Sequence, residues 1–214
     1  MPRKPLTEIE IEDFRETFCE AAYALYVQEG YDAVTMRGIA KVVGGSPMMA
    51  YRYFENKEDV FSSLRAIQFN NLAQTLEAVP RSLLPMEYMR ELGKAYAGFA
   101  HEAPHAYRLL YMIPINPVQI GPDVVEANER TKRVLFDATR RLVESGDIHG
   151  DPVLLAHTFW ASIHGLVSLD LANQLNQGAS FDELFPAMMD LLTVSNGVRR
   201  KANSKVDVPI AADR

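Results

Sequence analysis

The spacing of apolar residues along the chain predicts helices and no sheet. From Thr7 to Glu29 apolar residues recur every three or four positions, as on one face of a helix, at Ile11, Phe14, Phe18, Ala21 and Leu25. Thr7 followed by Glu10 is the pattern of a capping box, and Gly30 is placed to end this helix. Because no short segment alternates between apolar and polar positions, we expect an all-α fold.

Two short helices are predicted next, each with a polar residue that caps its first turn. Thr35 precedes a helix predicted over 36–43, and a Gly-Gly pair then interrupts the chain. Ser46 caps a second helix that starts at Pro47, because proline fits the first helical position, and this helix is predicted to run to about Phe54. Further helical periodicity covers 57–78, 86–101, 105–111, 124–145, 153–174 and 181–198.

The composition is that of an ordinary globular protein. The chain has 214 residues, of which 48% are hydrophobic and 23% charged, and this excludes an intrinsically disordered chain. The single cysteine, Cys19, excludes an intrachain disulfide and a cysteine-rich zinc module. The first residues lack the apolar core of a signal peptide, and we find no run of about 18 apolar residues. We therefore expect a cytoplasmic protein that needs no membrane, cofactor or metal.

Net charge and charge distribution point in different directions. The chain carries 22 Lys and Arg against 28 Asp and Glu, a net charge of −6, which disfavours nucleic acid as a partner because phosphate contacts need cations. From Ala33 through Phe54, however, there are three bases, Arg37, Lys41 and Arg52, and no acid. We call residues 33–54 the acid-free segment, and its charge is a hint of a surface that faces DNA.

The acid-free segment also has the spacing of a helix-turn-helix. Counted from Met36, small residues fall at the fifth, ninth and fifteenth positions, as Ala40, Gly44 and Ala50. Two short helices that cross closely need a small residue at the fifth position, and the turn needs a residue such as glycine that adopts unusual backbone angles. The second helix would then enter a major groove about 12 Å wide. On spacing alone, a helical hairpin in a bundle is an equal alternative.

The wider run around this motif resembles the DNA-binding domain of the TetR family of bacterial transcriptional regulators. That family has an Ala-rich first helix, a glycine before an aromatic residue, a threonine that opens the second helix, Gly-x-Ser at the turn, and Tyr-x-x-Phe before a lysine. The matching residues are Ala21, Ala22, Gly30, Tyr31, Thr35, Ile39, Ala40, Gly44, Ser46, Tyr51, Phe54 and Lys57. The resemblance implies a sequence-specific DNA-binding regulator, and in most relatives this is a repressor that a small-molecule effector releases.

The resemblance also assigns DNA contacts position by position. The phosphate backbone would be held by Thr35, Arg37, Tyr51 and Lys57. The surface that faces the bases would be lined by Ser46, Pro47, Met48, Met49 and Arg52. Two residues depart from the family pattern, since Met48 stands where a small residue is common and Ala50 where leucine is usual. The methionine pair implies contact with thymine methyl groups. Ile39 and Phe54 are expected in the core instead.

The C-terminal part resembles the ligand-binding and dimerisation domain of a TetR subgroup named for a Trp, a His and a Gly, here Trp160, His164 and Gly165. This resemblance implies a homodimer that binds an inverted repeat in double-stranded operator DNA and takes a small-molecule effector. The predicted divisions are a helix-turn-helix domain at 1–56, a helical ligand-binding and dimerisation domain at 57–198 and a flexible tail at 199–214.

Apolar residues in the C-terminal part have two possible roles. The last two helices carry wide apolar faces, which predict a four-helix interface in a dimer or, alternatively, core within one chain. Candidates for an effector pocket, each with core packing as its alternative, are Tyr96, Phe99, Tyr107, Leu110, Tyr111, Phe136, Trp160 and His164.

Enzyme motifs are few. The run His101-Glu102-Ala103-Pro104-His105 spells the zinc-protease pattern, but Pro104 would break the helix that both histidines must share, and we expect it to begin the next helix. Cys19 has no evident histidine partner, and the Gly-Gly-Ser turn lacks the lysine of a phosphate loop. We therefore predict no enzyme activity. The acidic first 60 residues keep a second hypothesis open, a helical small-molecule-binding or adaptor protein without DNA binding.

Overall fold

The computed structural model describes residues 7–114, 120–175 and 178–203, and this part of the chain forms α-helices without strands. In chain order its helices are α1 (Glu8–Glu29), α2 (Met36–Val42), α3 (Pro47–Ala50), α4 (Lys57–Glu77), α5 (Pro85–Glu102), α6 (Pro104–Tyr111), α7 (Pro122–Glu144), α8 (Pro152–Leu171) and α9 (Phe181–Asn203). The all-α prediction is confirmed, and each predicted helix is present with its ends moved by a few residues.

The first helix begins and ends as its sequence predicts. The Thr7 hydroxyl accepts a hydrogen bond from the Glu10 N–H at 3.3 Å, and the Glu10 carboxylate accepts one from the Thr7 N–H at 2.7 Å. These bonds from Thr7 lower the pKa of Glu10, because they favour its charged form. At the other end Gly30 adopts φ +83°, which glycine does without strain. The capping box and the glycine together fix the length of α1.

The third helix is shorter than predicted. It ends at Ala50 rather than at Phe54, and the next residues form a turn. The Tyr53 N–H donates to the Ala50 carbonyl at 3.0 Å, three residues back, so the chain is wound more tightly there than in an α-helix. The Tyr53 carbonyl in turn accepts a hydrogen bond from the Arg15 guanidinium of α1. A long-range partner therefore holds the turn, and the local apolar pattern does not reveal it.

The last helix is longer than predicted. The sequence places its end at Val198, whereas α9 continues to Asn203. Five residues of the predicted tail are therefore helical, because nothing in the chain from 199 to 203 interrupts helical backbone geometry: the segment holds no proline or glycine. The rest of the predicted tail, 204–214, lies outside the described residues.

Contacts divide the chain into two compact units. The first contains Met1–Gln74 and Ala103–Thr131, and the second contains Thr75–Glu102 and Lys132–Arg214. The first unit thus holds α6 and the start of α7 beside the predicted helix-turn-helix. The predicted domains follow the order of the chain instead, and their boundary after residue 56 stays a prediction.

The core of the first unit joins the helix-turn-helix to α6. The rings of Phe18 and Phe54 stack at 5.3 Å and are buried with Ile39, and Leu109 of α6 belongs to the same cluster. Ile39 and Phe54 are core residues, as predicted. Cys19 is buried in this cluster, and burial raises the pKa of its thiol to about 12. It is therefore a protonated, unreactive thiol near neutral pH.

Phe18→Ala is expected to lower the free energy of unfolding by about 3–5 kcal/mol, because removing a fully buried ring leaves a cavity that its neighbours fill only in part. Urea unfolding followed by circular dichroism measures this change. Ile9 lies on the same helix but is 73% exposed, so Ile9→Ala is the control and should cost less than about 0.5 kcal/mol. Similar costs for the two substitutions would contradict the place of Phe18 in the core.

Helices α5, α8 and α9 pack together in the second unit. Gly93 of α5 faces Phe185 of α9 so closely that a Cβ on Gly93 would lie 2.8 Å from the ring. The His101 Nε2 of α5 lies 2.7 Å from the Asp170 carboxylate of α8. A small residue on one side and a polar pair on the other therefore position α5 against both of the last two helices.

Helix α8 buries one side and exposes an apolar one. Phe159, Ile163 and Val167 are buried, whereas Leu154 is 68% exposed and Leu169 is 49% exposed. By length and composition α8 is the one helix of the described residues that is apolar enough to cross a membrane, although the sequence shows no unbroken apolar run. A single helix of this kind is weak grounds for a membrane segment, because core helices of soluble proteins have similar length and composition.

Candidate nucleic-acid interface

The turn between α2 and α3 has the shape that the helix-turn-helix spacing predicts. Gly44 adopts φ +70°, in the region that glycine favours, and the Gly45 N–H donates to the Ala40 carbonyl at 2.8 Å. Ala40 and Ala50 are buried, so a small residue stands in each helix where the packing is closest. The backbone and the two alanines therefore hold α2 and α3 in a tight hairpin.

Helix α3 and the residues that flank it expose most of the side chains that are predicted to face DNA bases. The Ser46 hydroxyl accepts a hydrogen bond from the Met49 N–H at 3.3 Å and so caps the helix. Met49 is half-buried, whereas Met48 is 81% exposed, and only one methionine of the pair therefore projects fully outward. The exposed side chains of this surface, which we call the reading surface, are Ser46, Pro47, Met48, Tyr51 and Arg52.

Two predicted phosphate contacts lie at the start of α2. Thr35 and Arg37 are both exposed. The Thr35 hydroxyl accepts a hydrogen bond from the Gly38 N–H at 3.0 Å, which leaves its own hydrogen to donate outward. Arg37 has no ion pair within the part of the chain that the structure describes, so its guanidinium is open to an anion.

Lys57 is held by its own chain. Its ammonium donates to the Tyr31 carbonyl at 2.5 Å and lies 4.0 Å from the centre of the Tyr31 ring. The Phe61 ring is 5.9 Å away on the same helix. The carbonyl takes one of three N–H donors, and the ring adds a cation–π attraction. The sequence predicts that Lys57 contacts a phosphate, but it does not predict this anchor on Tyr31. The anchor fixes the ammonium at the first turn of α4.

Lys57→Ala is expected to weaken binding to all DNA sequences by about the same factor and to reduce the slope of log affinity against log salt by about 0.9, because one phosphate contact is lost. Fluorescence anisotropy with a random-sequence duplex over a salt series measures both quantities. Lys94→Ala removes the same charge from an exposed position on α5, and it should leave the slope unchanged. A slope in Lys57→Ala equal to that of the unmodified protein would argue against the contact.

Arg15 is a residue of this site that no sequence pattern predicts. From α1 its guanidinium donates to the Tyr53 carbonyl and, at 3.1 Å, to the Ser63 hydroxyl, and it lies 4.3 Å from the centre of the Phe54 ring. These contacts tie the turn after α3 to α1 and α4. Its hydrogen-bond partners are 38 and 48 residues away, so no local pattern could have identified it.

The candidates for an effector pocket divide between the two units. Those in the first unit are Tyr107, Leu110 and Tyr111 on α6. Those in the second unit are Tyr96, Phe99, Phe136, Trp160 and His164. Tyr107, Leu110, Tyr96 and Phe99 are buried and the others are more accessible. Each unit therefore has an aromatic group of its own, and the assignment of either to a pocket stays a prediction.

Three of the candidates in the second unit lie together. The Tyr96 hydroxyl is 3.4 Å from His164 Nδ1, and the rings of His164 and Trp160 are 5.8 Å apart. Burial lowers the pKa of His164, so its imidazole is neutral near about pH 7. Ser168, one turn further along α8, has a buried hydroxyl without a partner among the described residues. Apolar rings with a few polar groups are typical of ligand sites, and they also occur in cores.

The zinc-protease pattern does not lie on one helix. Helix α5 ends at Glu102 and α6 begins at Pro104, as predicted, so His101 and His105 belong to different helices. His101 instead pairs with Asp170. Within the described residues no three His, Cys, Asp or Glu side chains are grouped so that they could hold a metal ion.

Comparisons with known proteins match the same two parts of the chain. A family model described as bacterial regulatory proteins of the tetR family matches residues 18–64, and one described as a tetracyclin repressor-like C-terminal domain matches residues 89–192. A curated relative, the HTH-type transcriptional regulator Rv0681 of Mycobacterium tuberculosis (strain ATCC 25618 / H37Rv), is 22% identical over 187 residues, which cover 87% of this chain and 82% of the relative.

Solved structures share the fold. A protein of unknown function from Rhodococcus sp. RHA1 has a TM-score of 0.75 at 22% identity and covers 92% of this chain and 98% of its own. The regulator FadR from Bacillus subtilis, in complex with stearoyl-CoA, has a TM-score of 0.67 at 19% identity, with 83% and 97% covered. At these identities the likeness shows the fold alone, and the Trp-His-Gly subgroup stays a prediction. With a family match in each of its two parts, the chain belongs to the TetR family of transcriptional regulators, which join an N-terminal DNA-binding domain to a C-terminal ligand-binding domain.

Proposed function

We propose that the protein is a homodimeric repressor that binds an inverted-repeat operator through α2 and α3 and is released by a small-molecule effector. The observation that carries the proposal is the reading surface: Met48, Tyr51 and Arg52 project from a segment, 33–54, that contains no acid. Repression and release by a ligand are typical of the TetR family, and this supports the same function. The function needs no catalytic step and places the protein in the cytoplasm with its DNA.

The contacts divide into two kinds. Phosphate contacts position a protein on DNA, whereas contacts with base edges select the sequence. Thr35, Arg37 and Lys57 lie outside the reading surface and supply hydroxyl, guanidinium and ammonium donors for phosphates. Within that surface the Tyr51 hydroxyl is assigned to a phosphate. Met48 has no hydrogen-bonding group of use to a base edge other than a weak sulfur acceptor, so its contribution is apolar contact with a thymine methyl group.

The two kinds of contact predict different effects of substitution. Tyr51→Ala should weaken binding to operator and scrambled duplexes by the same factor. Met48→Ala should lower the ratio of operator to scrambled affinity by about fivefold to tenfold, because one favourable base contact is lost. Anisotropy titrations of both variants against both duplexes measure this, and each variant is the control for the other. A uniform loss in Met48→Ala would contradict its role in reading bases.

The exposed apolar side of α8 supports dimerisation through α8 and α9. Leu154, Ala161 and Leu169 lie on that side at helical spacing, and all three are exposed. A Cβ placed on Gly165, between the last two, would meet no atom of the described residues within 4 Å. A second copy packed here would remove these side chains from water. The composition of α8 alone would also allow a membrane to cover them, and we propose the second copy instead. It would also provide two recognition helices for two half-sites about 34–36 Å apart.

The effector is proposed to bind among the aromatic candidates of the C-terminal domain. The FadR neighbour, solved with stearoyl-CoA, shows that this fold accommodates a small-molecule ligand. Regulation requires that the ligand bind the two conformations of the dimer with different affinity. The direct test of effector binding is to add a ligand and measure the affinity of the protein for DNA. We expect the affinity for the operator duplex to fall. The affinity for a scrambled duplex, which is held by phosphate contacts alone, should not change.

A further inference from the structure

Arg65 of α4 is the one charged side chain among the buried residues that the structure describes, with 4% of it exposed. Its Nε donates to the Leu109 carbonyl at 3.2 Å and its Nη2 to the Ile113 carbonyl at 3.3 Å. No carboxylate in the described part of the chain pairs with it. Buried charges in proteins are normally paired, because an unpaired one carries a desolvation cost of several kcal/mol.

The two carbonyls compensate the charge only in part. They belong to the C-terminal end of α6 and the residues just after it, where the helix dipole amounts to about half a negative charge. Burial correspondingly lowers the pKa of Arg65, and the groups that act in the opposite direction are the phenols of Tyr31 and Tyr26 rather than any carboxylate. The carbonyls also occupy one edge of the guanidinium, formed by Nε and Nη2. The other edge, formed by Nη1 and Nη2, faces no acceptor among the described residues, and it is the edge that binds a carboxylate end-on.

The neighbours of Arg65 on α4 add donors rather than acceptors. Ser62 and Gln68, one turn before and after it, are also buried. The Ser62 oxygen accepts from the Gly121 N–H at 3.2 Å, so the hydroxyl hydrogen is left to donate. The Gln68 oxygen accepts from the Asn71 amide at 3.2 Å, so the N–H groups of Gln68 are left likewise. We call the stripe formed by Ser62, Arg65 and Gln68 the donor stripe. It therefore has N–H and O–H donors that are not used within the described residues, and one positive charge without a carboxylate partner there.

We propose that the donor stripe binds the carboxylate of a small-molecule effector, with Arg65 as its counter-ion. A single unpaired guanidinium matches a single negative charge, whereas a phosphate dianion would leave a negative charge buried. Phe69, one turn further along α4, is buried and its ring lies 6.0 Å from the Tyr111 ring, so the remainder of the ligand next to Arg65 is apolar. The proposal rests on the proposed function only in calling the ligand an effector.

The test is ligand binding by the full chain in the absence of DNA. The probes are octanoate and phenylacetate, each compared with its neutral amide, and binding is followed by calorimetry and by the shift in Tm. We expect saturable stabilisation by a carboxylate and none by its amide. Arg65→Met should abolish the carboxylate response, and Arg65→Lys, which keeps the charge without the fork, should raise Kd about tenfold or more. Arg90→Met, the same change at a surface position, is the control and should respond as the unmodified protein does.

Three results would overturn the proposal: no carboxylate preference over the amides, an undiminished response in Arg65→Met, or an unchanged Kd in Arg65→Lys. If Arg65→Met does not fold, the carboxylate Kd of Arg65→Lys tests the proposal by itself. Operator binding by the ligand-free protein is measured separately. Carboxylate binding without operator binding would therefore count against the proposed function alone, and operator binding without a carboxylate preference against the donor stripe alone.

Discussion

Ala161→Glu is expected to convert the dimer into monomers and to weaken operator binding by about hundredfold or more, because an unpaired glutamate buried in an interface costs several kcal/mol. Ala161 lies on the exposed side of α8, one turn before Gly165, and the part of the chain that the structure describes leaves the space beside Gly165 open. Each half-site alone binds one reading surface, so a monomer loses the gain that comes from two linked contacts. Sedimentation velocity at about 10 µM measures the oligomer, and anisotropy measures the affinity.

Ala78→Glu is the matched control for this substitution. Ala78 is exposed and follows the end of α4, away from α8 and α9 in the sequence, so the same change of side chain should leave a dimer with unchanged affinity. Ala161→Glu protein that remains a dimer would contradict the assignment of α8 to the interface. A monomer that keeps full operator affinity would contradict the need for two reading surfaces.

Arg52→Glu is expected to weaken operator binding by about hundredfold, since it replaces an attraction to DNA with a like-charge repulsion of several kcal/mol. Arg52 is exposed on the reading surface, and it is one of the three bases of the acid-free segment. Because its side chain is not part of the core, the free energy of unfolding should change little. Operator titrations at constant salt, with urea unfolding of the same samples, separate the two effects.

Arg133→Glu provides the charge control for this substitution. Arg133 is exposed on α7, outside the helix-turn-helix, so its reversal changes net charge by the same amount. If the loss of affinity came from net charge alone, the two variants would bind equally weakly. If the protein binds DNA through the reading surface, Arg52→Glu should cause a large loss of operator affinity and Arg133→Glu a small one.

Much of the fold could be predicted because its signals are local. Thr7, Thr35 and Ser46 cap the helices that follow them, and each bond joins residues three apart in sequence. Gly30 and Gly44 mark chain reversals because both adopt positive φ. The end of α3 was missed, since a bond from Arg15 in another helix holds the turn after Ala50. The place of α6 in the first unit was missed for the same reason: Leu109 joins a core whose other members are far away in sequence.

The candidate site likewise combines features that the sequence predicts with features that depend on tertiary contacts. The small residues Ala40 and Ala50 follow from spacing, because close helix crossing demands them at fixed positions. Exposure of Met48 rather than Met49 depends on how α3 is rotated against its neighbours, which spacing does not specify. The anchor of Lys57 on Tyr31 and the donor stripe around Arg65 are tertiary contacts, and a sequence shows such residues only as ordinary charges on a helix.

The most direct test of the central claim is selection of bound sequences from a random pool of duplex DNA at about 150 mM salt, where weak non-specific binding is suppressed. A dimer that reads DNA through α3 predicts enrichment of an inverted repeat, with half-site centres one helical turn, about 34–36 Å, or a multiple of it apart. The enriched sequence would also be the operator for the titrations of Met48, Tyr51 and Arg52 variants. A folded dimer that enriches no sequence would contradict the assignment of this protein to operator binding.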